Sequence, residues 1–226
     1  MKNLVVLSGA GVSQESGLST FRDQNGLWEN HSISEVATPE AFERNPELVL
    51  RFYNLRRKQL LSCEPNIAHQ IIAELEESFN VHVITQNVDD LHERAGSTKV
   101  LHLHGELRKA RPIDDHNEIL PWDHDIEVGT TNNNGVQLRP HIVWFGEMVP
   151  LIEPSIEIIE RADYMVVVGT SLQVYPAAGL VNYLPNHAKL FLVDPDPPKN
   201  LPHGCHVIEN SATKGMEKIK ELLLKA

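Results

Sequence analysis

The residues best suited to chemistry fall into short polar clusters. Leu101-His102-Leu103-His104-Gly105 alternates as a short strand would, with both histidines on one face and both leucines on the other. An imidazole titrates near neutral pH and can serve as a general base. The chain carries 12 histidines, however, and any single one is more often a surface or hydrogen-bonded structural residue. Ser8-Gly9-Ala10-Gly11 is a glycine-rich loop whose backbone could approach a pyrophosphate and turn its amides towards it. Its spacing is not the dehydrogenase fingerprint, since the next glycine is Gly17, so alone it fits nucleotide binding and a plain tight turn equally. Gln86-Asn87-Val88-Asp89, Gly169-Thr170-Ser171 and Asp194 add amides, hydroxyls and carboxylates. Tyr53 and Arg56, three apart, are neighbours on a helix, and the residues alone favour an arginine on a solvated face beside a half-buried tyrosine. His116 and His124 with Asp114, Asp115, Asp123 and Asp125 are too irregularly spaced for a metal site and read as a solvated loop.

These clusters need elements to hold them. Short apolar runs rich in β-branched residues recur at Leu4 to Leu7, Val81 to Thr85, Tyr164 to Val168 and Leu190 to Val193, separated by stretches of helical periodicity. That is the pattern of an α/β fold whose parallel sheet is covered on both faces. The polar clusters beginning at Ser8, Gln86, Gly169 and Asp194 each follow one of these runs. In open α/β sheets ligands bind beyond the carboxyl ends of the strands, so the four point to one crevice. Asn45-Pro46 predicts an N-cap and first-turn proline opening a helix towards Leu61. Ala68, Ile71, Ile72 and Leu75 predict a second helix between Pro65 and Glu77, and Met216, Ile219 and Leu223 a C-terminal one. Residues 111–137 are rich in turn formers and predict a loop-rich excursion or small subdomain. The prolines of Asp194-Pro195-Asp196-Pro197-Pro198 would end the strand before them in an exposed turn.

At 226 residues, 41% hydrophobic and 23% charged, the chain has the composition of an ordinary globular protein of one large domain or two small ones. The balance of 20 basic and 31 acidic residues, net −11, repels phosphate backbones and anionic lipid, which argues against nucleic acid and membrane partners and suits a basic peptide. Two cysteines, Cys63 and Cys205, cannot build a disulfide framework or a four-thiolate zinc site and fit a reducing compartment. Leu4 to Leu7 is too short for a signal-peptide core, and a cytoplasmic location is expected.

Taken together, Gly9-Ala10-Gly11-Val12-Ser13-Gln14-Glu15-Ser16-Gly17, Thr20-Phe21-Arg22, Gly26-Leu27-Trp28, Thr85-Gln86-Asn87-Val88-Asp89, Leu103-His104-Gly105-Glu106, Val143-Trp144-Phe145-Gly146-Glu147 and Gly169-Thr170-Ser171 resemble the sirtuin family of NAD-dependent protein deacylases. The match runs in order over nearly the whole chain. It implies a Rossmann-like parallel-sheet large domain, about residues 1–28, 78–104 and 139–226. A smaller inserted part, about 29–77 and 105–138, lacks the zinc cysteines many members carry.

By that resemblance Gly9, Ala10, Gly11, Thr20, Phe21, Arg22, Trp28, Gln86, Gly169, Thr170 and Ser171 line the NAD site, with Asp194 and Ala212 near the adenosine. Asn87 and Asp89 would hold the ribose and the nicotinamide carboxamide, and His104 would be the base, leaving His102 structural. Val143, Phe145, Gly146 and Glu147 would pair with the substrate backbone as an added strand. Tyr53-Asn54-Leu55-Arg56 matches the Tyr-x-x-Arg pattern that binds acidic acyl groups, with Ala37 at the matching small-residue position. The resemblance thus implies removal of succinyl, malonyl and acetyl groups from protein lysines, with NAD as co-substrate, O-acyl-ADP-ribose and nicotinamide as products, and no zinc. Competing readings keep the NAD site in an ADP-ribosyltransferase or NAD glycohydrolase, or make the chain a non-catalytic NAD-responsive binding module.

Overall fold

The computed structural model describes residues 1–18, 31–198, 201 and 204–225. In chain order the elements are β1 (Asn3–Ser8), α1 (Gly11–Gln14), α2 (Ile33–Val36), α3 (Pro39–Arg44), α4 (Pro46–Ser62), α5 (Ile67–Glu74, continued by a 3-10 turn to Glu77), β2 (Asn80–Thr85), α6 (Leu91–Arg94), β3 (Val100–His102), β4 (Gly105–Pro112), β5 (Leu120–Pro121), β6 (Leu138–Ile142), α7 (Ile152–Ile159), β7 (Tyr164–Val168), a 3-10 segment (Ala177–Tyr183), β8 (Lys189–Val193), β9 (His206–Ile208) and α8 (Ala212–Leu224).

Six strands form one parallel sheet in the order β3-β2-β1-β7-β8-β9. Counted within the sheet this is 3-2-1-4-5-6, the order of doubly wound dinucleotide-binding sheets. Side chains alternate across a strand, so the run Leu4-Val5-Val6-Leu7 serves two cores. Leu4 and Val6 meet Ile71 and Ile72 of α5, Leu75 of the 3-10 turn after it, and Met216, Ile219 and Leu223 of α8. Val5 and Leu7 meet Ile159 of α7 and Leu180 and Val181 of the 3-10 segment. Both faces are covered, which is why the strands read as unbroken apolar runs.

The smaller part is an antiparallel sheet, β5-β4-β6, packed against α2 to α4. Asn45 caps α4 as expected, its side chain accepting from the Leu48 amide. Without cysteines in residues 111–137, the turn-rich excursion is fastened by α4. Asn54 Nδ2 donates to the Ile126 carbonyl and its Oδ1 accepts from the Ile126 amide, both at 2.9 Å. Arg57, fully buried, donates to the Leu107 carbonyl at 2.7 Å, to Asn54 Oδ1 and to the His124 carbonyl. Leu50, Ala110, Ile126 and Leu138 pack beneath, with Trp122 against them.

The structure departs from the expected layout in three places. Residues 67–77, assigned to the inserted part, cover the large sheet, because the stripe Ala68, Ile71, Ile72 and Leu75 fits the apolar face of β1 and β2. Residues 139–142, assigned to the large part, belong to β6 and pair with β4. The strand through the two histidines stops at His102. The chain then turns through Gly105, whose φ of +79° and approach to His141 O, 2.0 Å from where a Cβ would sit, admit only glycine. No helix among the described residues is long and apolar enough to cross a membrane.

Candidate active site

The loops after β1, β2, β7 and β8 meet at one end of the sheet, and the small part closes a cleft of about 460 Å³ over them. Every expected site residue within the described chain lines it: Gly9, Ala10, Gly11, Ala37, Tyr53, Arg56, Gln86, Asn87, Asp89, His104, Val143, Phe145, Gly146, Glu147, Gly169, Thr170, Ser171, Asp194 and Ala212. Thr20, Phe21, Arg22 and Trp28 lie outside the described residues.

The first glycine loop is built for contact with the loop after β7. The Gly9 amide donates to the Val168 carbonyl at 3.1 Å and the Gly11 amide to the Gly169 carbonyl at 2.8 Å. A Cβ on Gly11 would stand 2.8 Å from Gly169 Cα. Those two amides therefore do not turn towards a pyrophosphate as expected from the sequence. The glycines instead let two backbones touch, which brings Thr170 beside Gln86, whose Nε2 donates to Thr170 Oγ1 at 3.0 Å.

The two histidines do not share a face as an alternating strand would place them. His104 lines the cleft, and its Nδ1 lies 3.0 Å from the Gln86 carbonyl. A carbonyl only accepts, so Nδ1 carries the proton and Nε2 is left with a lone pair. Burial pushes this imidazole's pKa down, and the Gln86 bond opposes the shift only in part. His104 is thus neutral at physiological pH, with the tautomer a general base needs. His102 is buried behind the loop, Nδ1 2.9 Å from the Asn87 carbonyl and Nε2 2.7 Å from Glu93 Oε1.

Asn87 and Asp89 are held by a residue not singled out in the sequence, Ser13. Its hydroxyl donates to Asp89 Oδ2 at 3.0 Å and accepts from Asn87 Nδ2 at 3.0 Å. Asp89 also accepts from the Leu91 amide. Burial raises its pKa, against these two hydrogen bonds. Behind Ser13 lies a sealed polar layer. His69 Nδ1 accepts from the Asn66 amide, so its Nε2–H faces Ser13 Oγ at 3.4 Å, while His92 Nε2 lies 2.9 Å from Ser8 Oγ. Thr85 Oγ1 accepts from Ser8 Oγ and from the Asn87 amide. Burial pushes His69 down to about 4 and His92 well below its ordinary value.

At the other end of the cleft, α4 turns Tyr53 and Arg56 inward, 0% and 8% exposed. The Trp144 indole N–H faces the Tyr53 hydroxyl oxygen, and both residues line the cleft. Residues 143–147 form a turn rather than a strand. The Val143 amide donates to the His104 carbonyl, Phe145 to Ala37 and Glu147 to Trp144. Glu147 was expected to meet substrate, but its carboxylate is taken by Arg139 at 2.7 Å, Arg111 at 3.3 Å and the Trp144 amide at 2.7 Å. Burial opposes its charge, yet the Arg139 bond and charge hold its pKa below the usual range.

Over residues 9–176 the chain matches the Sir2 family. It is 52% identical to an NAD-dependent protein deacylase of Bacteroides thetaiotaomicron, covering 100% of both chains. With an NAD-dependent protein deacylase of Helicobacter pylori it shares 49% identity over 99% of this chain and 98% of that protein. A solved complex of a Sir2 homologue with NAD superposes with a TM-score of 0.89 at 39% identity, covering 99% of this chain and 90% of that one. A Sir2 mutant solved with a p53 peptide and NAD gives 0.81 at 29% identity, covering 99% and 94%. With this cleft, these lengths and these identities, the chain belongs to the Sir2 family and is an NAD-dependent protein deacylase.

Proposed function

We propose that the protein removes succinyl and malonyl groups, as well as acetyl groups, from protein lysines. The observation carrying this reading is that Tyr53 and Arg56, both buried, line the same cleft as His104. Arg56 can grip an acyl carboxylate through two parallel hydrogen bonds while Tyr53 donates a third. A charged hydrogen bond is worth about 1.5–3 kcal/mol, roughly 10- to 150-fold, and an acetyl group gains none of it.

The donor set fits NAD. The touching glycine loops, the Gln86 and Asn87 amides, the Asp89 carboxyl and the Thr170 hydroxyl sit at the carboxyl ends of the strands, where such ligands bind. NAD supplies an anomeric carbon already bonded to a good leaving group, nicotinamide, and a ribose that receives the acyl group. In this reading Asn87 and Asp89 hold the ribose and carboxamide. Nε2 of His104 takes a ribose hydroxyl proton, and Gly169 to Ser171 with Asp194 and Ala212 hold the adenosine half. The peptide backbone lies along residues 143–147 and uses groups other than the Val143, Phe145 and Glu147 amides.

Residues 111–137 offer no thiolate, so a structural zinc does not fit that stretch. Elemental analysis of protein purified without added metal should find no stoichiometric zinc, and chelators should leave the melting temperature unchanged. A cytoplasmic site of action completes the reading, supported by both cysteines being free thiols.

The test compares acetyl, succinyl and malonyl forms of one lysine peptide. Activity on the acidic acyl groups should at least match deacetylation, and Arg56→Met should lower only the acidic-acyl rates. Equal losses on all three peptides would show that Arg56 supports the fold or the NAD site instead. Product mass spectra separate the transferase and glycohydrolase alternatives: acyl transfer yields acylated ADP-ribose, whereas ADP-ribosylation adds mass to protein.

A further inference from the structure

His102 does not line the cleft, yet it touches the loop that does. Both of its ring nitrogens face acceptors, the Asn87 carbonyl at 2.9 Å and a Glu93 carboxylate oxygen at 2.7 Å. A neutral imidazole has one N–H and can satisfy only one of them, whereas an imidazolium satisfies both. His104, two residues on, holds the carbonyl of the preceding residue, Gln86. The consecutive carbonyls of residues 86 and 87 are thus held by the two histidines, one neutral and one charged, and the difference is set by Glu93.

We propose that His102, held as an imidazolium between Glu93 and the Asn87 carbonyl, is a positioning residue for the Asn87–Asp89 loop, and that its deprotonation sets an alkaline limb on turnover. Loss of that proton leaves either the Asn87 carbonyl or Glu93 without a donor. Where the remaining proton stays on Nε2 towards Glu93, the Asn87 carbonyl loses its donor, and the Asn87–Asp89 loop is left to the Ser13, Thr85, Leu91 and Leu107 bonds alone.

The groups around His102 favour its charge. Glu93 of α6 bonds it, Glu106 of β4 reaches within 4.8 Å, and Asp89 interacts with it from the loop after β2. Against it stands burial, while Lys109 of β4 is bonded to Glu106 at 2.6 Å and His92 of α6, which interacts with His102, is kept neutral by burial. Burial opposes the charge, but the Glu93 bond and carboxylate outweigh it and raise the His102 pKa. Glu93, His102 and Glu106 have metal-ligand spacing, but the Lys109 ammonium and the imidazolium already neutralise the two carboxylates.

The inference rests on Asn87 belonging to the NAD site, so Asn87→Ala is measured beside it and should lose turnover at every pH. An active Asn87→Ala would remove that assignment, whatever the other variants show. The main test is kcat/KM for NAD against pH in the native protein and in Glu93→Gln, with melting temperatures alongside. A neutral partner should move the alkaline limb down by about one pH unit, as removing a charge at this distance does. His102→Gln, which cannot titrate, should lack the limb and run at a reduced plateau. Profiles of the same shape, scaled uniformly or tracking the melting temperature alone, would overturn the proposal. Should neither variant fold, ring ¹⁵N NMR of native protein decides. His102 doubly protonated at pH 7.5 is the expected result, and a neutral ring there would end the idea.

Discussion

His104 and His102 are two residues apart and chemically opposite, because each imidazole takes its protonation from what it faces. The neutral one has a lone pair in the cleft, so His104→Ala should keep its fold and measurable NAD binding. Deacylation should fall by about 10²–10⁴, the usual worth of a positioned acid–base group. Because burial pushes the His104 pKa down, the acid limb of kcat/KM belongs below the ordinary histidine value. A limb above that value, or one surviving in His104→Ala, would assign the base elsewhere. The motifs in the sequence located this histidine, the glycine loops and the Asn87–Asp89 segment. Ser13, Ser8, Thr85, His69 and His92 were not legible as site residues. Each is a polar side chain inside a helix or apolar strand, and nothing in its spacing reveals that burial gathers all five behind Asn87 and Asp89.

At the scale of elements, the four central parallel strands β1, β2, β7 and β8 were legible to within a residue or two, since a strand buried on both faces is an apolar run with turn residues after it. β3 was legible in part, the alternation from Leu101 to Gly105 overlapping it at Leu101 and His102, whereas β9, with three paired residues, and the small sheet were not read as strands. Nor could the stripe on α5 say which apolar surface it would cover. The excursion over residues 111–137 gave no sign of its fastening, because Asn54 and Arg57 read as polar positions on a helix. Asn54→Ala should cost about 2–4 kcal/mol, since it strips partners from the Ile126 amide and carbonyl and from Arg57 together. Chemical denaturation measures that cost. Hydrogen exchange should show residues 122–128 opening first, and uniform protection of that stretch in the variant would place the fastening elsewhere.

Across the whole molecule, the sealed layer between the sheet and the catalytic loops makes the fold acid-labile. His69 is neutral when folded, with a pKa of about 4, while an unfolded histidine titrates near 6.5. The lowered value means stability is full above pH 6.5 and falls as the pH drops towards 4, by about 3 kcal/mol from this group. His92, further depressed by burial, acts in the same direction. Denaturation at pH 7.5, 6 and 4.5 should show the decline, and His69→Gln should flatten it; an unchanged slope would assign the lability to other groups. Helix α4 serves both the cleft and the turn-rich excursion. Tyr53 and Arg56 line the cleft, while Asn54 and Arg57 hold the excursion over residues 111–137. On the proposed reading, α4 can change acyl preference only through side chains 53 and 56, because any shift of the helix axis would tear out the fastening one residue along. A library randomised at 53 and 56 should return well-folded proteins with new acyl choices, and one randomised at 54 and 57 should return few folded proteins of any kind.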